Sequence, residues 1–214
     1  MSRETIGDRE ARLILLQEEA ARLQAEIDSE QFGRVAGDWA RHGYYLTYYA
    51  TAGFFLGMVA ALVSLMFNII GASVAGKDPL QIIRVYLTFG LGAKALDPAF
   101  ENGLALAMGC VLYIATGMLL GIIFHVVLSR YASKAGLAGR LVWASGVAVI
   151  IWLVNFYGLI SWIQPLLFGG NWIVDNAHLP WWVALATHLV FGWTMALMYP
   201  WGEFHPYRLQ TENA

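Results

Sequence analysis

The sequence contains one cysteine, Cys110, and it lies in an apolar run. A lone thiol can form neither an intrachain disulfide nor a thiolate metal cluster, which sets aside redox chemistry at sulfur. Charge is scarce as well. Asp, Glu, Lys and Arg make up 13% of the 214 residues, where a soluble domain has about 25%. The formal net charge of -2 offers no basic surface to nucleic acid. No Asp or Glu falls within the long apolar runs, so the carboxylates that couple ions or relay protons inside membranes are missing. There is no HExxH, GxSxG elbow, P-loop or dinucleotide fingerprint, so no motif names a reaction, and the chain reads as a non-enzyme. Internal repeats of the kind that mark secondary carriers are also missing.

What is present is hydrophobic length. The chain is 58% hydrophobic with a mean hydropathy of +0.56 and carries 9 Trp and 10 Tyr, rings that gather at headgroup level in membrane proteins. Four runs, at 46–75, 103–128, 141–166 and 181–200, each approach or exceed the ~20 residues a helix needs to cross the hydrocarbon layer. The expected fold is therefore an all-α integral membrane bundle of four transmembrane helices. It is preceded by a cytoplasmic helical region over 1–42 and followed by a short tail over 202–214.

The N-terminus lacks the basic region and apolar core of a secretory signal, and it is too acidic for a mitochondrial transit peptide, so the first span reads as a retained anchor. Basic residues in short loops favour the cytoplasmic side. Arg34 and Arg41 precede the first span, Arg130, Lys134 and Arg140 flank the second loop, and Arg208 follows the last span. Both termini should then be cytoplasmic. The loop "GGNWIVDNAHLPWW", which has no Lys or Arg, should face outward. Lys77, Arg84 and Lys94 in the first loop oppose this, set among Asp78, Asp97 and Glu101.

Two segments outside the spans have a pattern of their own. Leu13, Leu16, Ala20, Leu23 and Ile27 recur at alternating steps of three and four, the spacing of a coiled-coil seam. Glu18–Arg22 and Arg22–Glu26 stand at i,i+4 beside them. This helix needs a surface: a second copy, the protein's own cytoplasmic face or a larger partner. The first loop is bracketed by Asp78-Pro79 and Asp97-Pro98. Its apolar residues Ile82, Ile83, Val85, Tyr86, Leu87 and Phe89 suggest a short helix in the outer interface facing lipid or the bundle. Gly90 and Gly92 raise a re-entrant segment as the alternative.

Within the spans, Gly53, Gly57 and Ala61 form a ridge of small residues continued by Ser64 and Asn68, and Gly117 and Gly121 form a GxxxG between Tyr113 and His125. Such ridges let helices approach closely in lipid. Intrachain packing is the expectation, with dimerisation or cofactor contact as the sharper alternatives.

His188 stands in "THLVFGWTMALMYPW", a run apolar enough for a bilayer. It is about seven residues inside the fourth span, or roughly 10 Å deep. A neutral imidazole carries a donor and an acceptor, and both need partners at that depth. Asn155 on the third span lies at the matching level, so a structural pair His188–Asn155 is expected. The alternative is that His188 ligates haem or chlorophyll, with Gly192 one turn away leaving room for a flat macrocycle. His125 cannot be the second axial ligand, because its expected height differs by roughly 13 Å. Asp175, Asn176 and His178 could form a weak metal site, but a solvated loop is the expectation, and no metal site is expected elsewhere. Tyr199, Trp201 and Tyr207 read as an inner aromatic belt.

Together these features fit a non-catalytic accessory subunit of a larger bacterial inner-membrane complex, respiratory or photosynthetic, without a cofactor of its own. Its partners would be membrane lipids and other membrane subunits, or a second copy through the N-terminal helix. A haem-, pigment- or quinone-binding subunit and a small-solute transporter are the alternatives.

Overall fold

A computed structural model describes residues 6–41, 45–97, 99–100 and 103–204, with side chains from 12 to 30 in the first of these. The described chain is helical, without strands. α1 (Ile6–Arg41) belongs to one unit, and residues 45–204 form another, compact one. Along α1, Leu13, Leu16, Leu23 and Ile27 are all at least half exposed. The tail from 205 onward, with Tyr207 and Arg208, lies outside the described residues, as do Glu101 and the side chains of Arg34 and Arg41.

The compact unit contains α2 (Leu46–Val74), α3 (Gln81–Leu91), α4 (Gly103–Tyr131), α5 (Leu137–Leu153), α6 (Ser161–Phe168) and α7 (Trp181–Met198). A π turn, Val154–Ile160, joins α5 to α6, and a 3-10 turn, Tyr199–Gly202, ends α7. Four stretches are long and apolar enough to cross a membrane: Leu46–Val74, Gly103–Tyr131, Leu137–Phe168 and Trp181–Gly202. Each extends to or past the hydrocarbon thickness, since 29 residues rise about 43 Å. The third takes in the π turn. Pro165 has no N–H to return to the Ser161 carbonyl, and the helix one turn earlier is widened.

Several polar side chains lie inside the bundle while many large apolar ones lie outside it. Ser64, Asn68, Thr88, His125, Ser129, Gln164 and Thr187 are buried, whereas Phe55, Met66, Leu104, Val142, Ile150, Trp162 and Leu197 are exposed. In water that distribution would leave large apolar patches uncovered, but against lipid it puts apolar groups outside and polar pairs within.

α2 and α4 meet glycine to glycine. A Cβ at Gly53 would stand 2.6 Å from the Gly121 carbonyl oxygen, and one at Gly57 would stand 2.5 Å from that of Gly117. At these glycines no side chain fits between the two helices, and dispersion between backbones holds them there. α5 and α7 form a second pair, joined by a hydrogen bond from Trp193 Nε1 to Ser145 Oγ at 2.9 Å.

The first loop does form a helix, α3, and most of its surface is covered by the bundle. Ile82, Ile83, Val85, Leu87 and Thr88 are all buried, with Ile83 and Leu87 over Gly109 of α4. At its flanks Asp78 Oδ1 accepts from Leu80 N, and Asp97 Oδ1 accepts from Ala99 N. Arg84 joins the two ends. It pairs with Asp78 at 2.6 Å and donates to the Phe100 carbonyl at 3.0 Å, which is how a helix so covered tolerates an arginine.

Candidate functional site

Among the described residues, three side-chain contacts join helices through the polar interior around this region. Ser64 and Tyr113 join α2 to α4, hydroxyl to hydroxyl at 2.9 Å. Gln164, fully buried, donates to Thr88 Oγ1 at 2.8 Å and accepts from Ile173 N at 3.0 Å, so that α6, α3 and the last loop share one amide. Asn68 and Thr187 join α2 to α7. Asn68 Nδ2 donates to Thr187 Oγ1 at 2.9 Å and to the Ser64 carbonyl at 2.8 Å. The Thr187 proton is shared between the Val183 carbonyl at 2.8 Å and Asn68 Oδ1 at 3.1 Å. Of these residues, only Asn68, Ser64 and Tyr113 are marked in the sequence, by their places on the small-residue ridges. Thr187 has no signal beyond its place beside His188.

His188 itself bonds within its own helix. Nδ1 lies 2.8 Å from the Ala184 carbonyl, which can only accept, so Nδ1 carries the proton and Nε2 is left as an acceptor. The ring meets Phe156 edge-on with centroids 5.9 Å apart. Asn155 does stand on the same cavity as His188, through the π turn, but among the described residues no hydrogen bond joins the two. The imidazole finds its donor's partner four residues back, a local solution that depth alone does not reveal.

That cavity, about 80 Å³, lies between α2, α3, α4, the π turn and α7. Its polar lining comprises Ser64, Tyr86, Tyr113, Thr116, Asn155, Thr187 and His188, set among Ile82, Phe156, Leu179 and Phe191. Burial first, and the neighbouring Tyr113 phenol second, push the Tyr86 hydroxyl well above its ordinary range, so it stays protonated. A second cavity of about 150 Å³ lies at the end of the bundle where α2 finishes and α7 begins, lined by Asn68, Lys77, Gln81, His178 and Trp182 among others. Ile82 and Leu179 line both.

The residues do not fit a macrocycle beside Gly192. A Cβ there would lie 2.8 Å from the Phe124 ring and 3.0 Å from the Ala144 carbonyl. The space expected to seat haem or chlorophyll is filled by α4 and α5, and the gap beside His188 is far smaller than a porphyrin. His125 stands in a different environment. It is fully buried between Tyr49 and Tyr199, and its Nε2 donates to the Gly202 carbonyl at 3.0 Å.

Tyr199 is no belt residue. It is fully buried, and the Arg140 guanidinium sits 4.2 Å from its ring centroid. This cation–π contact fixes the first turn of α5 to the end of α7. Trp201 is 78% exposed. In the last loop Asp175 Oδ1 accepts from Ala177 N, and Asn176 Oδ1 accepts from Trp181 N at the start of α7. His178 lies 3.9 Å from Asp175. Among the described residues no three His, Cys, Asp or Glu side chains gather in a way that could hold a metal ion.

No family model, curated protein or solved structure matches this chain.

Proposed function

We propose that this protein is a non-catalytic accessory subunit of a larger membrane complex, anchored by its four-helix bundle and docked through α1. The bundle lies in a bacterial inner membrane with both termini on the cytoplasmic side. The observation that carries this reading is the apolar stripe of α1: Leu13, Leu16, Leu23 and Ile27 are 50% to 58% exposed, and they recur at the spacing of a helix–helix seam. A soluble helix that leaves four large aliphatic side chains in water has little to stabilise it by itself, since most helical stability comes from packing of the apolar face. A partner helix would supply that packing. The composition of the bundle supports the same reading, since its buried polar groups are largely engaged in joining helices to one another.

The experiment is extraction of the full chain in mild detergent, beside a variant carrying Leu16→Glu and Leu23→Glu. The full chain should migrate with a stoichiometric larger membrane complex, and the variant should leave it while its bundle stays folded. A full chain that migrates only as single copies or homo-oligomers would reject the subunit reading.

A further inference from the structure

The cavity beside His188 brings together polar groups that the helix contacts leave available. Among the described residues, no protein hydrogen bond engages the Asn155 amide, the Tyr86 hydroxyl or Nε2 of His188, and all three residues line the same 80 Å³ space. Inside a membrane such groups are costly unless something pairs with them. The π turn is what brings Asn155 and Phe156 to this lining, and widened turns of this kind are frequent at functional sites.

Three properties of the lining define what would fit. No Asp, Glu, Lys or Arg borders the space, so an ion would sit there unpaired and only an uncharged molecule is suited. Nε2 of His188 can only accept, so the occupant must bring a donor. The volume is about half that of an engineered apolar cavity of about 150 Å³ that takes benzene, which limits the occupant to three or four heavy atoms.

One approach lies where the two cavities adjoin. The 150 Å³ vestibule touches the chamber at Ile82 and Leu179, and the Asn68–Thr187 pair spans that junction, with Asn68 on the vestibule and Thr187 on the chamber. At the other end, the contact of Gly57 with Gly117 and Gly121, and the Phe124 and Phe191 rings 5.3 Å apart, close the interior.

We propose that this chamber is a binding site for a small uncharged hydrogen-bond donor of the class of a primary amide or short alcohol, reached from the vestibule past the Asn68–Thr187 clasp. The donor pairs with Nε2 of His188, and its oxygen accepts from Asn155 or Tyr86. The site stands whether or not the chain docks to a partner through α1.

The test is a titration of the full chain, labelled with ¹⁵N-histidine and held in phosphatidylcholine nanodiscs, with acetamide and, separately, with acetone. Acetone has the same heavy-atom count but no donor. Acetamide should move the His188 Nε2 resonance saturably with a millimolar midpoint, and acetone should not move it. His188→Gln identifies the resonance. Should that variant not fold, His42→Gln, His178→Gln and His205→Gln together clear the other signals, and the tautomer then separates His188, protonated at Nδ1, from His125, protonated at Nε2. Asn155→Leu should raise the midpoint roughly three- to tenfold, the loss of one hydrogen bond. Removing the clasp with Asn68→Ala and Thr187→Val should speed acetamide exchange by about tenfold. Equal effects of acetamide and acetone, or no saturable shift with either, would overturn the site. Unchanged exchange in the clasp variant would overturn the route.

Discussion

Asn68 and Thr187 hold α2 against α7 through paired contacts of 2.9 and 3.1 Å between an amide and a hydroxyl, both buried. The pair stands on the α7 turn that carries His188, one residue away, and it does for α2 and α7 what the sequence suggested His188 and Asn155 would do for α5 and α7. Thr187→Val should destabilise the bundle more than it does in a background of Asn68→Leu, because the single change strands an amide in hydrocarbon. The coupling should be roughly 0.6–2 kcal/mol in a double-mutant cycle, read from reversible unfolding in mixed micelles. Strict additivity would mean that the contact contributes nothing.

The glycine seam should be intolerant of any side chain. Gly57→Leu or Gly121→Leu must push α2 and α4 apart, and a thermal melt in detergent should show loss of the folded bundle. Gly71→Ala and Gly146→Ala, where nothing lies within 4 Å of the added carbon, should be neutral or should stabilise by up to ~1 kcal/mol through helix propensity. Similar melting of all four variants would show that the close approach of α2 and α4 is unimportant.

His188→Leu should cost the fold under about 1 kcal/mol, because the Nδ1–Ala184 bond is local and its loss strands no other side chain. Purified protein should have no Soret or red absorption band, given that Phe124 and Ala144 fill the space at Gly192. A visible band that disappears in His188→Leu would show that a macrocycle does find room.

The orientation is checked by labelling. A cysteine placed at Asn176 should react with an impermeant maleimide added outside intact cells, and one placed at Lys134 should react only after the membrane is opened. The opposite pattern would turn the bundle over and put α1 outside.

The parts of the fold that the sequence made legible are those governed by periodicity and length. Four apolar runs became four long helices, and Gly53, Gly57, Gly117 and Gly121 could be picked out as small-residue ridges because their spacing repeats. The π turn was not legible, since a change from i−4 to i−5 bonding leaves no residue signature beyond a proline downstream, and Pro165 has that place. Partner choice was not legible either. Depth located the right level of α7, but consecutive residues point about 100° apart around a helix, so Thr187 reaches Asn68 while His188 turns toward Phe156. Tyr199 misled for a related reason. Its type and place suit a belt, yet the Arg140 guanidinium and the His125 ring draw it inward.

The docking of α1 is tested most directly by comparing the native mass of the full chain with that of a chain lacking residues 1–30, both extracted in mild detergent and resolved by native mass spectrometry. The full chain should appear in a complex with other membrane subunits at fixed stoichiometry, and the truncated chain as a free, folded bundle. Equal complexes from the two chains would contradict the account.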